Sequence, residues 1–327
     1  MSFLLTLVPP FGSISSAVTP FSIVSREHPA VVLVNPSAGR GRGQKYIREI
    51  RSLFAVNSFP ADFVVPETAE QMDSRARSAI AGGTRVLMAL GGDGTLQRIV
   101  NAVAGKEFSL GILPAGGGND FAAALGLPSN PVAAGRLLLT AQTRAVDLLR
   151  ARCADGRERL YLGGGGIGLD AETARYSARY NWLPGRGRYI AGALHALRDF
   201  KPIDVRAEFP DQNHHAISQQ VLVAGVLNTP SYGAGLRLAP DAKIDDGLLN
   251  VLLVKSLNAA QVWGAVPRLL SRGDLPESYL RRVSAQRVRL TADRECLFHG
   301  DGEIIGPAPV DVEVVQKALR VLVPAAS

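Results

Sequence analysis

Three glycine-rich stretches carry the residues best suited to chemistry. Gly91-Gly92-Asp93-Gly94-Thr95 stands between an apolar run, RVLMAL (85–90), and a helical pattern, TLQRIVNAVAG (95–105). Glycines let a backbone approach an anion closely, and successive amides at a helix N-terminus cradle phosphate. Asp93 adds a carboxylate for Mg²⁺ or a ribose hydroxyl, and Thr95 a hydroxyl that can cap the helix while donating to phosphate. A tight Asp-Gly turn is the plainer reading, but four of the five residues suit phosphate. The second stretch, Gly116-Gly117-Gly118-Asn119-Asp120-Phe121, follows SLGILP (109–114) in the same way and supplies another carboxylate. A third loop runs from Asn35 to Gly43 after AVVLVNP (30–36), where Arg40 and Arg42 can neutralise phosphate or simply be solvated. The chain has no Walker lysine motif, no dinucleotide fingerprint in the right context and no protein-kinase signature.

The elements around these turns explain why they should converge. Strand-like runs at 30–36, 62–65, 85–90 and 109–114 alternate with helical patterns at 43–56, 67–82 and 95–105. Such alternation predicts right-handed crossovers and a parallel sheet covered on both faces, with ligands at the carboxyl ends of the strands. Beyond residue 143 the pattern turns to period-two alternation, at 144–168 (two strands around Asp155-Gly156), 216–228, 247–255, 286–292, 295–303 and 310–324. That is the mark of an antiparallel sandwich, here with helical insertions near 170–200 and 258–271. The expected fold class is an α/β N-terminal domain with a mostly parallel sheet plus a β-sandwich C-terminal domain. The expected divisions are a poorly ordered extension over 1–28, an α/β nucleotide-binding domain over 29–143 and a β-rich domain over 144–305. Residues 306–327 form C-terminal strands that can return to the first domain, and Pro128, Asn130 and Pro131 punctuate the boundary.

Composition narrows the partners. The chain of 327 residues is 46% hydrophobic and 20% charged, enough to fill sizeable cores and too apolar for a disordered chain. No uninterrupted apolar run reaches the roughly 20 residues that cross a bilayer. A net charge of +7 favours anionic partners, whether nucleotide, nucleic acid or acidic lipid. Two cysteines, Cys153 and Cys296, make neither a disulfide framework nor a zinc constellation, and the chain reads as intracellular and reduced.

Taken together, NPSAGRG (35–41), GGDGT (91–95), GILPAGGGNDFA (111–122) and the late DGE (301–303) resemble the diacylglycerol kinase catalytic-domain family. This is the bacterial lipid kinase branch that is also similar to sphingosine kinases. The likeness runs from about residue 30 to the C-terminus. It implies ATP bound between the α/β and β-sandwich domains, as in NAD kinase-like folds, with a lipid hydroxyl as phosphoryl acceptor. It further implies that Asn35, Gly91, Gly92, Asp93, Gly94, Thr95, Gly116, Gly117, Asn119 and Asp120 hold the nucleotide. Glu303 becomes the general base that takes the acceptor's proton, with Asp301 tuning or positioning it. Read from the residues alone, Glu303 would be an exposed hairpin residue. The stretch PDAKIDDGLL (240–249) resembles the family's structural Mg²⁺ loop, which assigns Asp246 with carbonyls of Lys243 and Leu248.

The chain departs from the family pattern in three places. Gly116-Gly117 replaces a usual Gly-Thr, Gln97-Arg98 replaces Asn-Glu, and Pro66-Glu67, with Thr68 nearby, stands where a threonine follows the second strand. Arg98 would put a base near the phosphates. The segment 172–201 is the candidate for meeting lipid or membrane. Arg175 and Arg179, and Tyr176 and Tyr180, are spaced four apart there, and Trp182 and Tyr189 suit an interface. A buried helix fits the same pattern, and His195 reads as a packed or capped side chain rather than a catalyst. The expected protein is a cytoplasmic, peripherally membrane-associated kinase using ATP and Mg²⁺, with a lipid substrate and no nucleic-acid partner. A homodimer stays open, as do two other functions: a kinase of a soluble acceptor, and a nucleotide or lipid sensor without activity.

Overall fold

The structure, a computed structural model, describes residues 24–36, 43–169, 173, 176, 178–180, 182–183, 186–197, 200–211, 215–233 and 235–325. Most of the expected N-terminal extension, together with Arg40, Arg42 and Arg175, lies outside the described residues.

The first lobe is a parallel sheet in the order β2-β1-β3-β4, from β1 (Ala30–Val34), β2 (Ala61–Val64), β3 (Val86–Gly91) and β4 (Ser109–Pro114). Every residue of β1, β3 and β4 is buried, as a sheet with both faces covered requires. The helices are α1 (Gly43–Val56), α2 (Ala69–Ala81), α3 (Asp93–Ala102), α4 (Asp120–Ala124) and α5 (Pro131–Leu138). Thr68 caps α2, its hydroxyl accepting the Gln71 amide at 3.2 Å. The Pro128–Pro131 punctuation opens a helix rather than a linker. Asn130 accepts the amides of Val132 and Ala133, and Pro131 occupies the first turn, where its missing N–H costs nothing.

The second lobe is antiparallel. It comprises β5 (Gln142–Cys153), β6 (Glu158–Tyr161), β7 (Gly164–Gly168), β8 (Ile203–Glu208), β9 (Ile217–Leu227), β10 (Leu249–Lys255), β11 (Leu280–Ala285), β12 (Arg287–Ala292), β13 (Leu297–Gly300), β14 (Glu303–Pro307) and β15 (Val310–Val323). Period two is plain in β8, where buried and exposed residues alternate. The 144–168 region holds three strands instead of two, because Gly164–Gly168 adds its own ladder against β9 and β13. The 295–303 run likewise splits into β13 and the start of β14. The helical insertions are α6 (Arg186–Leu197), preceded by a 3₁₀ turn at Ala178–Tyr180, and α7 (Ala259–Ser271), which begins with an Asn258–Gln261 capping box.

β15 belongs to both lobes. Its end runs parallel to β4, with Arg320 opposite Ser109, while its length pairs antiparallel with β5 and β12. One hydrophobic cluster fills the first lobe around Leu33, Leu87 and Phe54, and a second fills the sandwich around Tyr161, Val226 and Phe298. A third, smaller cluster around Leu222, Leu238 and Val254 lies under the helical insertions.

Candidate active site

The two glycine turns at the ends of β3 and β4 meet backbone to backbone. A Cβ built on Gly116 would stand 2.5 Å from Gly92 Cα, and one on Gly92 would stand 2.9 Å from Gly116 Cα. Only hydrogen fits at either position. Asn119 then closes the second turn on itself. Its Oδ1 accepts the Gly116 amide at 2.9 Å, and its Nδ2 donates to the Gly116 carbonyl at 3.0 Å from a left-handed backbone (φ 59°). Asn35, at the end of β1, donates Nδ2 to Thr95 Oγ1 at 2.9 Å. Thus the three strand ends and their loops form one rim.

Within that rim one sequence expectation needs correction. Thr95 does not cap α3: the N-cap is Gly92, without a side-chain bond, and Thr95 is buried with its hydroxyl taken by Asn35. Asp93 has a further role that the sequence did not announce, as a holder of loops. Its Oδ2 accepts the amides of Asn119 at 2.8 Å and Asp120 at 3.3 Å, and its Oδ1 accepts that of Phe121 at 3.3 Å. It thereby ties the two turns together at the start of α4.

The DGE motif is a hairpin turn whose glutamate reaches the first glycine turn. Asp301 (φ 48°) and Gly302 (φ 88°) are consecutive left-handed residues joining β13 to β14, with Gly300 opposite Glu303. That is the two-residue hairpin geometry for which Asp-Gly is suited. Asp301 Oδ2 accepts the Leu162 amide at 2.7 Å, and its Oδ1 accepts those of Gly163 at 2.9 Å and Gly164 at 3.2 Å. These bonds fix the turn and aim the next residue. Glu303 is exposed, and its Oε1 would lie 3.3 Å from a Cβ built on Gly94. The hairpin carboxylate therefore overhangs the first phosphate turn, although the two residues are far apart in the chain.

Helix α3 holds that juxtaposition. Gln97 is buried and donates Nε2 to the Gly300 carbonyl at 3.0 Å, at the base of the DGE hairpin. One turn later Asn101 exchanges two bonds with the Leu160 backbone, at 2.8 and 2.9 Å. The Gln97 departure is thus an inter-lobe tie. Arg98 points elsewhere: it pairs with Asp73 of α2 at 2.9 Å, so the expected base beside the phosphates is absent there. Helical geometry separates neighbouring residues by about 100°, which sends Gln97 and Arg98 to different partners.

Three carboxylates converge here. Burial, followed by the charges of Asp120 and Asp301, pushes the Asp93 carboxyl up to about 7. Burial likewise raises Asp301 to about 6, offset by its three amide donors and by His299. Asp120 is buried and accepts the Gly235 amide at 2.7 Å through Oδ1. Sequence inspection did not single out Gly235, which is brought here from beyond β9.

Next to the carboxylates opens a cavity of about 250 Å³. Asp93, Asp120 and Asp301 line it where it meets the cleft, and Tyr232 and His299 follow, with Tyr232 Oη 3.0 Å from His299 Nε2. Beyond them the walls are aliphatic, including Leu222, Leu238, Val254, Ala265, Leu269 and Leu275. Both helical insertions contribute: α6 through Ile190, Leu194 and Leu197, α7 through Val262, Ala265, Val266 and Leu269. The cavity draws on residues scattered over a hundred positions, a pattern that no local motif announces. His195, as expected, is packed, stacked on Tyr176 with centroids 4.1 Å apart and bonded to Tyr180 Oη at 2.8 Å.

The Asp246 loop lies away from the cleft. Asp246 is exposed and accepts the Leu248 amide at 3.0 Å, while neighbouring Asp245 pairs with Arg144. The loop is anchored by Asp147, fully buried and unremarked in the sequence. Its carboxylate accepts the amides of Gly247 and Lys317, both at 2.7 Å. Among the described residues no group of three or more His, Cys, Asp or Glu side chains is arranged to hold a metal ion.

Comparison with known proteins matches this architecture lobe by lobe. Residues 29–151 match the diacylglycerol kinase catalytic domain, and residues 165–323 match the YegS C-terminal NAD kinase beta sandwich-like domain. A diacylglycerol kinase of Mycobacterium tuberculosis is 30% identical over 296 residues, covering 89% of this chain and 94% of that protein. The chain belongs to the diacylglycerol kinase family. As a member of that family it is a kinase that phosphorylates an alcohol. A family relative from Pseudomonas aeruginosa, named "Probable lipid kinase YegS-like", is 31% identical over 293 residues, covering 88% of this chain and 93% of its own. The crystal structure of a diacylglycerol kinase from Bacillus anthracis shares the family fold, with a TM-score of 0.69 at 19% identity over 90% of this chain and 97% of that one. No described helix is long and apolar enough to cross a membrane.

Proposed function

We propose that this kinase transfers the γ-phosphoryl group of ATP to the hydroxyl of a lipid of the diacylglycerol type, with Glu303 as general base. The observation that carries the reading is the continuity of an aliphatic cavity with the carboxylate-lined cleft. A soluble acceptor has no use for walls of leucine and valine, whereas an acyl chain buries about 0.8 kcal/mol per methylene in such surroundings.

In this reading the amides of the rim formed by Gly91–Thr95 and Gly116–Asn119 receive the phosphates. Asp93 and Asn119 keep the two turns in register, so the donors need no rearrangement as charge develops. The lipid lies in the cavity with its hydroxyl directed to the cleft. Glu303 accepts that hydroxyl's proton as the oxygen–phosphorus bond forms and the β–γ bridging bond breaks, releasing ADP. Asp301, with both oxygens held by amides, positions the hairpin rather than exchanging protons.

Mg²⁺ fits the donor chemistry of the cleft: burial, together with the charges of Asp120 and Asp301, raises Asp93, and a hard cation would offset that crowding of buried oxygen donors. Such an ion is commonly held by one or two carboxylates together with the substrate's phosphates; Asp120 is the residue here that would share it, and it would neutralise charge on the phosphates. Asp246 is exposed, and with the carbonyls of Lys243 and Leu248 it would offer an all-oxygen set for a structural ion of the same kind.

The test is phosphate transfer from labelled ATP to diacylglycerol, phosphatidylglycerol, ceramide, sphingosine and NAD, with and without Mg²⁺. Label is expected in a lipid product and not in NAD. Label in NAD alone, or ATP binding with transfer to none of them, would contradict the reading.

A further inference from the structure

The chain has two tryptophans, and both lie on the helical insertions that roof the cavity. Trp263 is 65% exposed on α7, and Trp182, just beyond the Ala178–Tyr180 turn, is 75% exposed. An indole left in water loses its burial energy, and exposure of both is unexpected for a chain with ample core. On α7 the neighbours divide cleanly. Val262, Ala265, Val266 and Leu269 face the cavity, while Trp263, Gly264 and Pro267 form an exposed face. Leu194, Leu197, Val262 and Leu269 line the cavity and are only partly buried, so this end of it is built from helices that carry little packing of their own.

The charge around this face is positive. Lys255 precedes α7 and Arg272 ends it, both exposed, and Arg237 and Arg281 are exposed nearby in the chain fold. Among the described residues that follow α7, the carboxylates of Asp274 and Glu277 are engaged, by Arg268 and Arg282. Beside Trp182, Arg179 lies over the Tyr176 ring at 5.1 Å. An exposed indole pair, an aromatic and basic surround, and helices whose other side lines an aliphatic cavity describe a surface made for the boundary of an anionic bilayer.

We infer that the α6–α7 roof is the membrane-docking surface: Trp182 and Trp263 insert among the headgroups of an anionic bilayer, and the lipid passes between the two helices directly into the cavity. The inference rests on the lipid kinase reading, and it goes beyond it by fixing which face meets the membrane and where the substrate enters. It orients the molecule with the glycine rim away from the bilayer's core, so nucleotide arrives from water while lipid arrives from the roof.

Because no other tryptophan exists, the full-length protein reports on its own docking. On titration with vesicles of phosphatidylglycerol mixed with an equal part of phosphatidylcholine, tryptophan emission should shift to shorter wavelength and be quenched by brominated acyl chains. Vesicles of phosphatidylcholine alone should do neither at the same concentration. Trp263→Ala, a change at an exposed position, should lower sedimentation with the anionic vesicles by about tenfold. It should leave turnover unchanged on a short-chain diacylglycerol kept monomeric in solution. Sedimentation with unshifted, unquenched emission would place docking on another face and overturn the inference. So would a blue shift that depends on protein concentration without vesicles, which would make the roof an interface between copies. If the wild-type protein fails to phosphorylate the monomeric lipid at all, the lipid kinase reading falls whatever the emission does.

Discussion

On the nucleotide side of the cleft, Gly92 and Gly116 touch through their α-carbons and Asn119 folds onto its own loop, so the wall is backbone held by backbone. On the acceptor side the wall is side chains, drawn from β7, β9, β10, α6 and α7 and ending at the DGE hairpin. On the proposed reading, the first wall would bind a group that is the same in every nucleoside triphosphate, for which fixed amides suffice. The second would suit an acyl chain and a hydroxyl, so its character would lie in the volume and polarity of residues that can vary without moving the sheet. Between them stand a few ties, chiefly Gln97 to Gly300, Asn101 to Leu160 and the shared strand β15.

Substitutions should separate the walls. The largest effect is expected from Gly116→Val, which places carbon where only 2.5 Å is available to Gly92 Cα. Overpacking of that kind costs about 1–3 kcal/mol or more, and calorimetric titration should show ATP affinity down by about a hundredfold. Wild-type affinity in this variant would mean that the turns do not form the phosphate site.

Gln97→Ala tests the tie. Loss of the buried donor removes the bond from α3 to the Gly300 carbonyl, at about 1 kcal/mol. The hairpin should loosen, with kcat down about tenfold and the dissociation constant for ATP unchanged. Equal losses in both would show instead that Gln97 serves the nucleotide wall.

The smallest expected effect is on stability. Asp93 and Asp301 hold their protons more tightly folded, at about 7 and about 6, than at the ordinary aspartate value of about 3.9. Folding therefore takes up protons, and the contribution of these groups to stability falls as pH rises from about 4 to about 7. Melting temperature should drop by a few degrees across that window. Asp93→Asn, destabilised at every pH because an amide replaces one acceptor, should show a shallower slope. An unchanged slope would show that Asp93 is ionised throughout.

The same contrast explains what could be read beforehand. Strand 109–114, the turn 91–95 and the helix 43–56 are encoded within a few residues each, by apolar runs, glycines and helical spacing, and the structure places them as expected. Glu303 was legible only through its resemblance to a known motif, since Asp301-Gly302 is equally a hairpin turn. The hairpin is present, and it sets the Glu303 carboxylate over Gly94. The direction of Arg98, the amide-holding role of Asp93, buried Asp147 and the Tyr232–His299 pair were not legible. Each depends on which distant element packs alongside, and a one-residue step along α3 decides whether a side chain meets Gly300 or Asp73.

The central claim is that a carboxylate from the sandwich lobe acts on an acceptor at a rim built by the other lobe. Glu303→Gln tests it most directly, because the amide keeps the shape and loses the base. The account predicts turnover lower by about 10²–10⁴-fold with ATP affinity within about twofold of wild type on the same preparation. Wild-type turnover, or a loss of ATP affinity as large as the loss of turnover, would contradict it.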